Sequence, residues 1–229
     1  MMSAECGVQS VLCTLYSALC TLHSVLHSAL CIFLCAMRRD EAFDLVCQYT
    51  ASHSMRRHML AVEAAMRAYA RKGGHDEEKW GIVGLLHDFD YERWPDPPDH
   101  PLKGAAILAE RGYPQDVIYA IKSHADYLPD CPRVSPMDKA LYACDELAGF
   151  ISAVAVVRPE KIVGLRASSV RKKMKQKTFA AAVNREDIVR GAEDLGVDLD
   201  EHIQFVIDAM AGLARELGLE PDGGVAASG

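Results

Sequence analysis

The sequence predicts an all-α helical bundle folded as a single domain, and three observations point there. From Arg38 onward, apolar residues recur at steps of three and four, the period of a helix with one buried face. Runs of strand-type alternation are almost absent, and the 16 glycines and 10 prolines cluster between the helix-like segments. The 229 residues are 50% hydrophobic and 25% charged, an ordinary globular composition with enough chain for one sizeable core. A formal net charge of −7 argues against a nucleic-acid duplex as partner.

The elements follow in order. Residues 39–50 read as a short first helix. Over residues 53–71, Met55, His58, Met59, Val62, Ala65, Met66 and Tyr69 share one face, and Gly73-Gly74 end the run. Residues 76–88 read as a helix whose apolar stretch closes on His87-Asp88. After a proline-rich loop, Pro101 stands where a proline opens a helix, which runs to Arg111. Residues 114–125 place Val117, Ile118, Ile121 and His124 on one stripe, and residues 136–156 do so with Leu141, Cys144, Asp145, Ala148, Ile151 and Ser152. Further helices are expected over 159–163, 167–176, 185–195 and 199–217. The domain is expected to span residues 38–218, with a disordered tail over 219–229.

Residues 1–37 differ from the rest. A seven-residue pattern repeats from Ser10 to Leu30, and Val8 to Met37 holds no Lys, Arg, Asp or Glu. Three readings compete: a membrane-spanning segment, a signal sequence, or a tandem repeat translated upstream of a natural start at Met37. A signal sequence fits poorly, because the start lacks basic residues and carries Glu5. The foreign composition favours the third reading, and His23 and His27 are given no role. Five of the eight cysteines lie in the first 35 residues and none forms a CxxC pair. That usage fits a reducing, cytoplasmic setting.

His58, His124 and Asp145 lie on the apolar stripes of three helices, His87-Asp88 closes a fourth, and His100 precedes a fifth. A lone histidine on such a face is usually a hydrogen-bonded core residue. Six unrelated buried polar groups, though, would each need a partner, and one divalent-metal centre satisfies them together. A mixed imidazole and carboxylate set suits iron, manganese, cobalt, nickel or zinc, one or two ions per chain. His53, His75 and His202 sit in polar surroundings and read as surface residues, with His53 the one rival to His58.

The order His58, His87-Asp88, His100, His124, Asp145 resembles the HD superfamily of metal-dependent phosphohydrolases. The stretches "GLLHDFDYE", "HPLKGAAIL", "AIKSHADY" and "ALYACDELAGFI" are similar to its predicted-hydrolase branch. Phe89-Asp90 stand where many relatives carry Ile-Gly, a departure from the HD-GYP signalling group. The resemblance implies one metal on His58, His87, Asp88 and Asp145, and a second on His100, His124 and a bridging Asp88. His87 and Asp88 are then catalytic, with Asp90 and Tyr91 orienting the ligands. The implied reaction is hydrolysis of a phosphate ester on a nucleotide or small metabolite. The alternatives are an HD-type diiron oxygenase and a non-catalytic metal-binding signalling module. For the substrate phosphate, Lys103, Lys122 and the basic run containing Arg171, Lys172 and Lys173 are candidate contacts.

Overall fold

The computed structural model describes residues 38–221, all within one compact unit that begins at Met37. Nine α-helices and no strand occur among these residues. They are α1 (Arg39–Tyr49), α2 (His53–Gly73), α3 (Glu77–Leu86), α4 (Asp99–Glu110), α5 (Gln115–Ser123), α6 (Pro136–Val156), α7 (Ala167–Met174), α8 (Arg185–Leu195) and α9 (Leu199–Ala211). No described helix is long and apolar enough to cross a membrane. The heptad-like segment and its competing readings lie outside the described residues, as does the tail from residue 222.

The caps explain where the helices begin. Ser52 accepts the Met55 N–H at the start of α2, and Asp76 accepts the Lys79 N–H at the start of α3. Ser135 and Asp138 form a reciprocal capping box at α6. Each such side chain answers an N–H that the first helical turn leaves without a partner. Pro101 opens its helix as expected, because His100 before it is extended (φ −80, ψ 134).

The two 21-residue helices α2 and α6 pack on each other and carry the other layers: α3 lies on α2, α8 on α6, and α9 against both. Phe89, Phe150, Met59, Leu141 and Leu147 are fully buried between them. One contact decides where the site lies. A Cβ on Gly84 would stand 2.9 Å from both the Glu63 nitrogen and the Val62 oxygen. Backbone therefore meets backbone between α3 and α2, and the His87 end of α3 is drawn against the helix carrying His58. The same junction holds Glu63, 1% exposed. It accepts two hydrogen bonds from Arg39, at 2.6 and 2.8 Å, and one from Arg67 at 2.9 Å.

Four expectations change. Residues 159–163 form turns, with Lys161 at φ 51, and only Ile162 among them is buried, too few inward positions to sustain a helix. The helix expected over 199–217 ends at Ala211, and its last part tightens into turns through Leu213 N–H to Met210 O and Ala214 N–H to Ala211 O. Leu219 is 2% exposed and its carbonyl accepts the Ile162 N–H at 3.2 Å, so the packed chain extends past 218. His202 is buried rather than superficial: Tyr69 Oη lies 2.6 Å from its Nδ1 and the Ala143 carbonyl 2.9 Å from its Nε2.

Candidate metal centre

Five segments bring His58, His87, Asp88, His100, His124 and Asp145 to one place. His58 comes from the second turn of α2 and Asp145 from α6. His87 and His124 are the residues that end α3 and α5. Each meets the carbonyl three residues earlier in its own chain through Nδ1, His87 with Gly84 O at 2.8 Å and His124 with Ile121 O. Carbonyls in a last helical turn lack helical partners, so both helix ends use the same device. His100 Nδ1 meets Asp90 Oδ1 at 2.8 Å, and Asp90 Oδ2 accepts the Gly104 N–H at 2.7 Å.

These partners fix the tautomers. A carbonyl or carboxylate facing Nδ1 requires a proton there, so the neutral ring of His87, His100 or His124 presents a bare Nε2. The bare nitrogens of His100 and His124 stand 3.3 Å apart, and 3.3 and 3.4 Å from Asp88 Oδ1. His87 Nε2 stands 3.3 Å from both His58 Nε2 and Asp145 Oδ1, and 3.5 Å from Asp88 Oδ2. His58 Nε2 lies 3.0 Å from Asp145 Oδ1 and 3.9 Å from Asp88 Oδ2. Acceptors facing acceptors repel unless a cation sits between them. Donors about 2.0–2.2 Å from a transition metal lie roughly 2.9–3.5 Å from one another, so most of these spacings match neighbouring ligands of one ion. The six residues fit divalent metal as two groups, His58, His87, Asp88 and Asp145 on one side, and Asp88, His100 and His124 on the other.

The proton equilibria tell the same story for the metal-free protein. Burial alone would lower the pKa of His87, but Asp88 and Asp145 override it and push the imidazole up to about 9. His100, also opposed by burial, is raised to about 9 by Asp88 and Asp90. Burial would raise the two central carboxylic acids. The histidines outweigh it, holding Asp88 well below the usual range and lowering Asp145. The cluster is therefore built to hold positive charge, which a proton or a metal ion can provide.

The cluster opens into a pocket of about 600 Å³. Tyr91, Tyr127 and Tyr142 line it with Asp126, Glu146 and Asp187, while Met55, Pro95, Pro97 and Val183 supply apolar wall. Asp126 pairs with Arg133 at 2.5 Å and with Arg190, which also reaches Asp187 at 2.5 Å. Burial and the neighbouring Asp145 push the Glu146 carboxyl up to about 7. Asp90 is buried beneath His100, and Tyr91 lies edge-on to the His100 ring at 5.1 Å.

Lys103, Lys122, Arg171, Lys172 and Lys173 do not line this pocket. Lys122 precedes His124 by two residues, a spacing that puts two side chains on different helix faces. Lys103 is exposed on α4. Arg171 pairs with Asp200 at 3.0 Å, and Lys173 stands over the Phe179 ring. On α7 only Val170 is buried, so the basic run is the outer face of an amphipathic helix. His53 is exposed and outside both ligand groups, leaving His58 without a rival.

Sequence reasoning passed over the pocket's carboxylates and, Tyr91 apart, its tyrosines, although Asp126, Tyr127 and Glu146 lie close to recognised positions. It also passed over Gly104. A Cβ there would stand 2.7 Å from Asp90 Oδ2, the atom that Gly104 N–H holds. Gly104→Ala is therefore expected to displace Asp90 and free the His100 ring. Metal affinity at the His100 side should fall by roughly 10–100-fold, the usual cost of losing such support. Equilibrium metal titration checks this, with the far-ultraviolet spectrum showing that the helices persist.

Residues 55–149 match the family model of the HD domain. Comparisons with curated proteins and with solved structures give no match. All six clustered residues lie within the matched segment, on the all-α architecture of that family. The match and the two His/Asp groups are consistent with the HD superfamily, a superfamily of metal-dependent hydrolases.

Proposed function

We propose that the protein is a metal-dependent phosphohydrolase that cleaves a phosphate ester of a nucleotide or small metabolite at a binuclear centre. One observation carries the reading: Asp88 offers a different oxygen to each donor group. Oδ2 faces His58 and His87, and Oδ1 faces His100 and His124. Adjacent placement of His87 and Asp88 lets one helix end serve two ions. A pair of divalent ions supplies an activated water and a positive clamp for phosphoryl oxygens at neutral pH. The protein's own part is positional. Gly84, Ile121 and Asp90 hold the imidazoles with Nε2 inward, Asp88 joins the two groups, and the pocket admits the ester beside them.

Metal analysis of anaerobically purified protein, followed by a phosphatase panel with each candidate metal, tests the proposal. Release of phosphate with at least one metal is expected. Oxygen consumption by the iron form without phosphate release would turn the reading toward an oxygenase.

The two groups should also separate by mutation. His100→Ala and His124→Ala are expected to behave alike, each keeping about one ion per chain while losing most hydrolysis, because a two-ion clamp fails when one is absent. His58→Ala should weaken the other ion. Metal content measured beside turnover for the three variants checks this pattern.

A further inference from the structure

We infer that the pocket takes a small ester bearing a single phosphoryl group, whose alcohol part carries hydrogen-bond donors, and that Glu146 receives one of them. The inference rests on the hydrolase reading for placing the phosphoryl group at the His/Asp cluster, and it concerns what lies beyond that group.

Apart from His58, Asp88, His100, His124 and Asp145, the polar lining is Asp126, Glu146 and Asp187 with three tyrosines, and it contains no lysine or arginine. Four of the five other polar wall groups are already engaged, Tyr91 being the exception. Asp126 and Asp187 are taken by Arg133, Arg190 and the Tyr142 hydroxyl, and the Tyr127 hydroxyl donates to the His100 carbonyl. Those contacts also commit the hydroxyl of Tyr142. Glu146 differs. Its Oε2 accepts the Asn184 N–H at 3.2 Å, while Oε1 has no hydrogen bond or ion pair among the described residues. A partly buried carboxylate oxygen of a pocket-lining residue, without a protein partner, is open to a ligand donor, an O–H or N–H.

Charge excludes the larger phosphorylated ligands. A second or third phosphate would project from the cluster toward Glu146 and toward Asp126 and Asp187, whose partners Arg133 and Arg190 are committed to them and do not line the pocket, so no free cation among the lining residues receives the charge. An uncharged or cationic polyol-like part fits; a nucleoside triphosphate does not.

The test uses calorimetric binding, to the manganese-loaded full chain, of ligands whose terminal phosphoryl group cannot be hydrolysed, so the readout does not depend on its release. The ligands are 3-hydroxypropylphosphonate, its near-isostere butylphosphonate, and a β,γ-methylene nucleoside triphosphate. The hydroxyl compound is expected to bind about tenfold more tightly than butylphosphonate, the effect of one charge-assisted hydrogen bond, and the triphosphate analogue most weakly. Glu146→Gln should shrink that preference and Glu146→Ala should abolish it. Equal binding of the two small phosphonates, tighter binding of the triphosphate analogue, or no binding of any would overturn the inference. A protein that binds with the expected order yet cleaves no ester would refute the hydrolase reading and leave this one standing.

Discussion

Asp88→Asn is expected to strip metal from both donor groups and to lower phosphate release by more than the roughly 10–100-fold that outer-shell changes cost. The substitution keeps shape and volume, so the helices should remain. It removes the charge that His87, His100 and His124 surround and turns one of the two oxygens, one facing each group, into an amide nitrogen that cannot hold a metal. No other residue belongs to both groups, so no other single change should empty both. Metal content of the purified variant, read beside its turnover, decides the matter. Full metal with wild-type rates would place the centre elsewhere.

Glu63→Ala should have the largest effect on stability. The carboxylate is almost fully buried and accepts from Arg39 and Arg67, and the Arg67 side chain is only 18% exposed. Removing Glu63 leaves that guanidinium with Glu78 as its remaining ion-pair partner. Breaking such a pair costs about 3 kcal/mol, the low end of the range because Arg39 is part-exposed. For a domain of this size that corresponds to a fall in Tm of roughly 6–12 °C. Urea unfolding in the presence of chelator measures it without the contribution of metal. An unchanged midpoint would show that the α2–α3 junction does not depend on the pair.

The helices were legible because a buried face repeats every three to four residues, and α2, α6 and α8 begin where that periodicity places them. The six clustered residues were legible for the same reason. Each is polar at an inward or helix-ending position, where an apolar residue would ordinarily stand. Periodicity assigns a residue to a face but does not say which neighbour covers that face. His202 therefore read as a surface residue, although Tyr69 and the Ala143 carbonyl enclose it. Three residues of the basic run on α7 stood as candidate phosphate contacts, although their helix turns that face outward. The carboxylates and tyrosines around the opening come from α6, α8 and the segments following α3 and α5. Nothing in their local spacing announces that they meet. Gly104 and Gly84 act through the absence of a side chain, which becomes informative only when the opposing atoms are known.

The central claim is that two ions share Asp88. The most direct measurement is the metal stoichiometry of anaerobically purified protein, determined elementally against a quantitative protein concentration after loading with manganese or iron. The account predicts close to two ions per chain, falling to about one in His100→Ala and in His124→Ala. A single ion per chain in the unmodified protein, kept in both variants, would contradict it. The centre would then be mononuclear on His58, His87, Asp88 and Asp145.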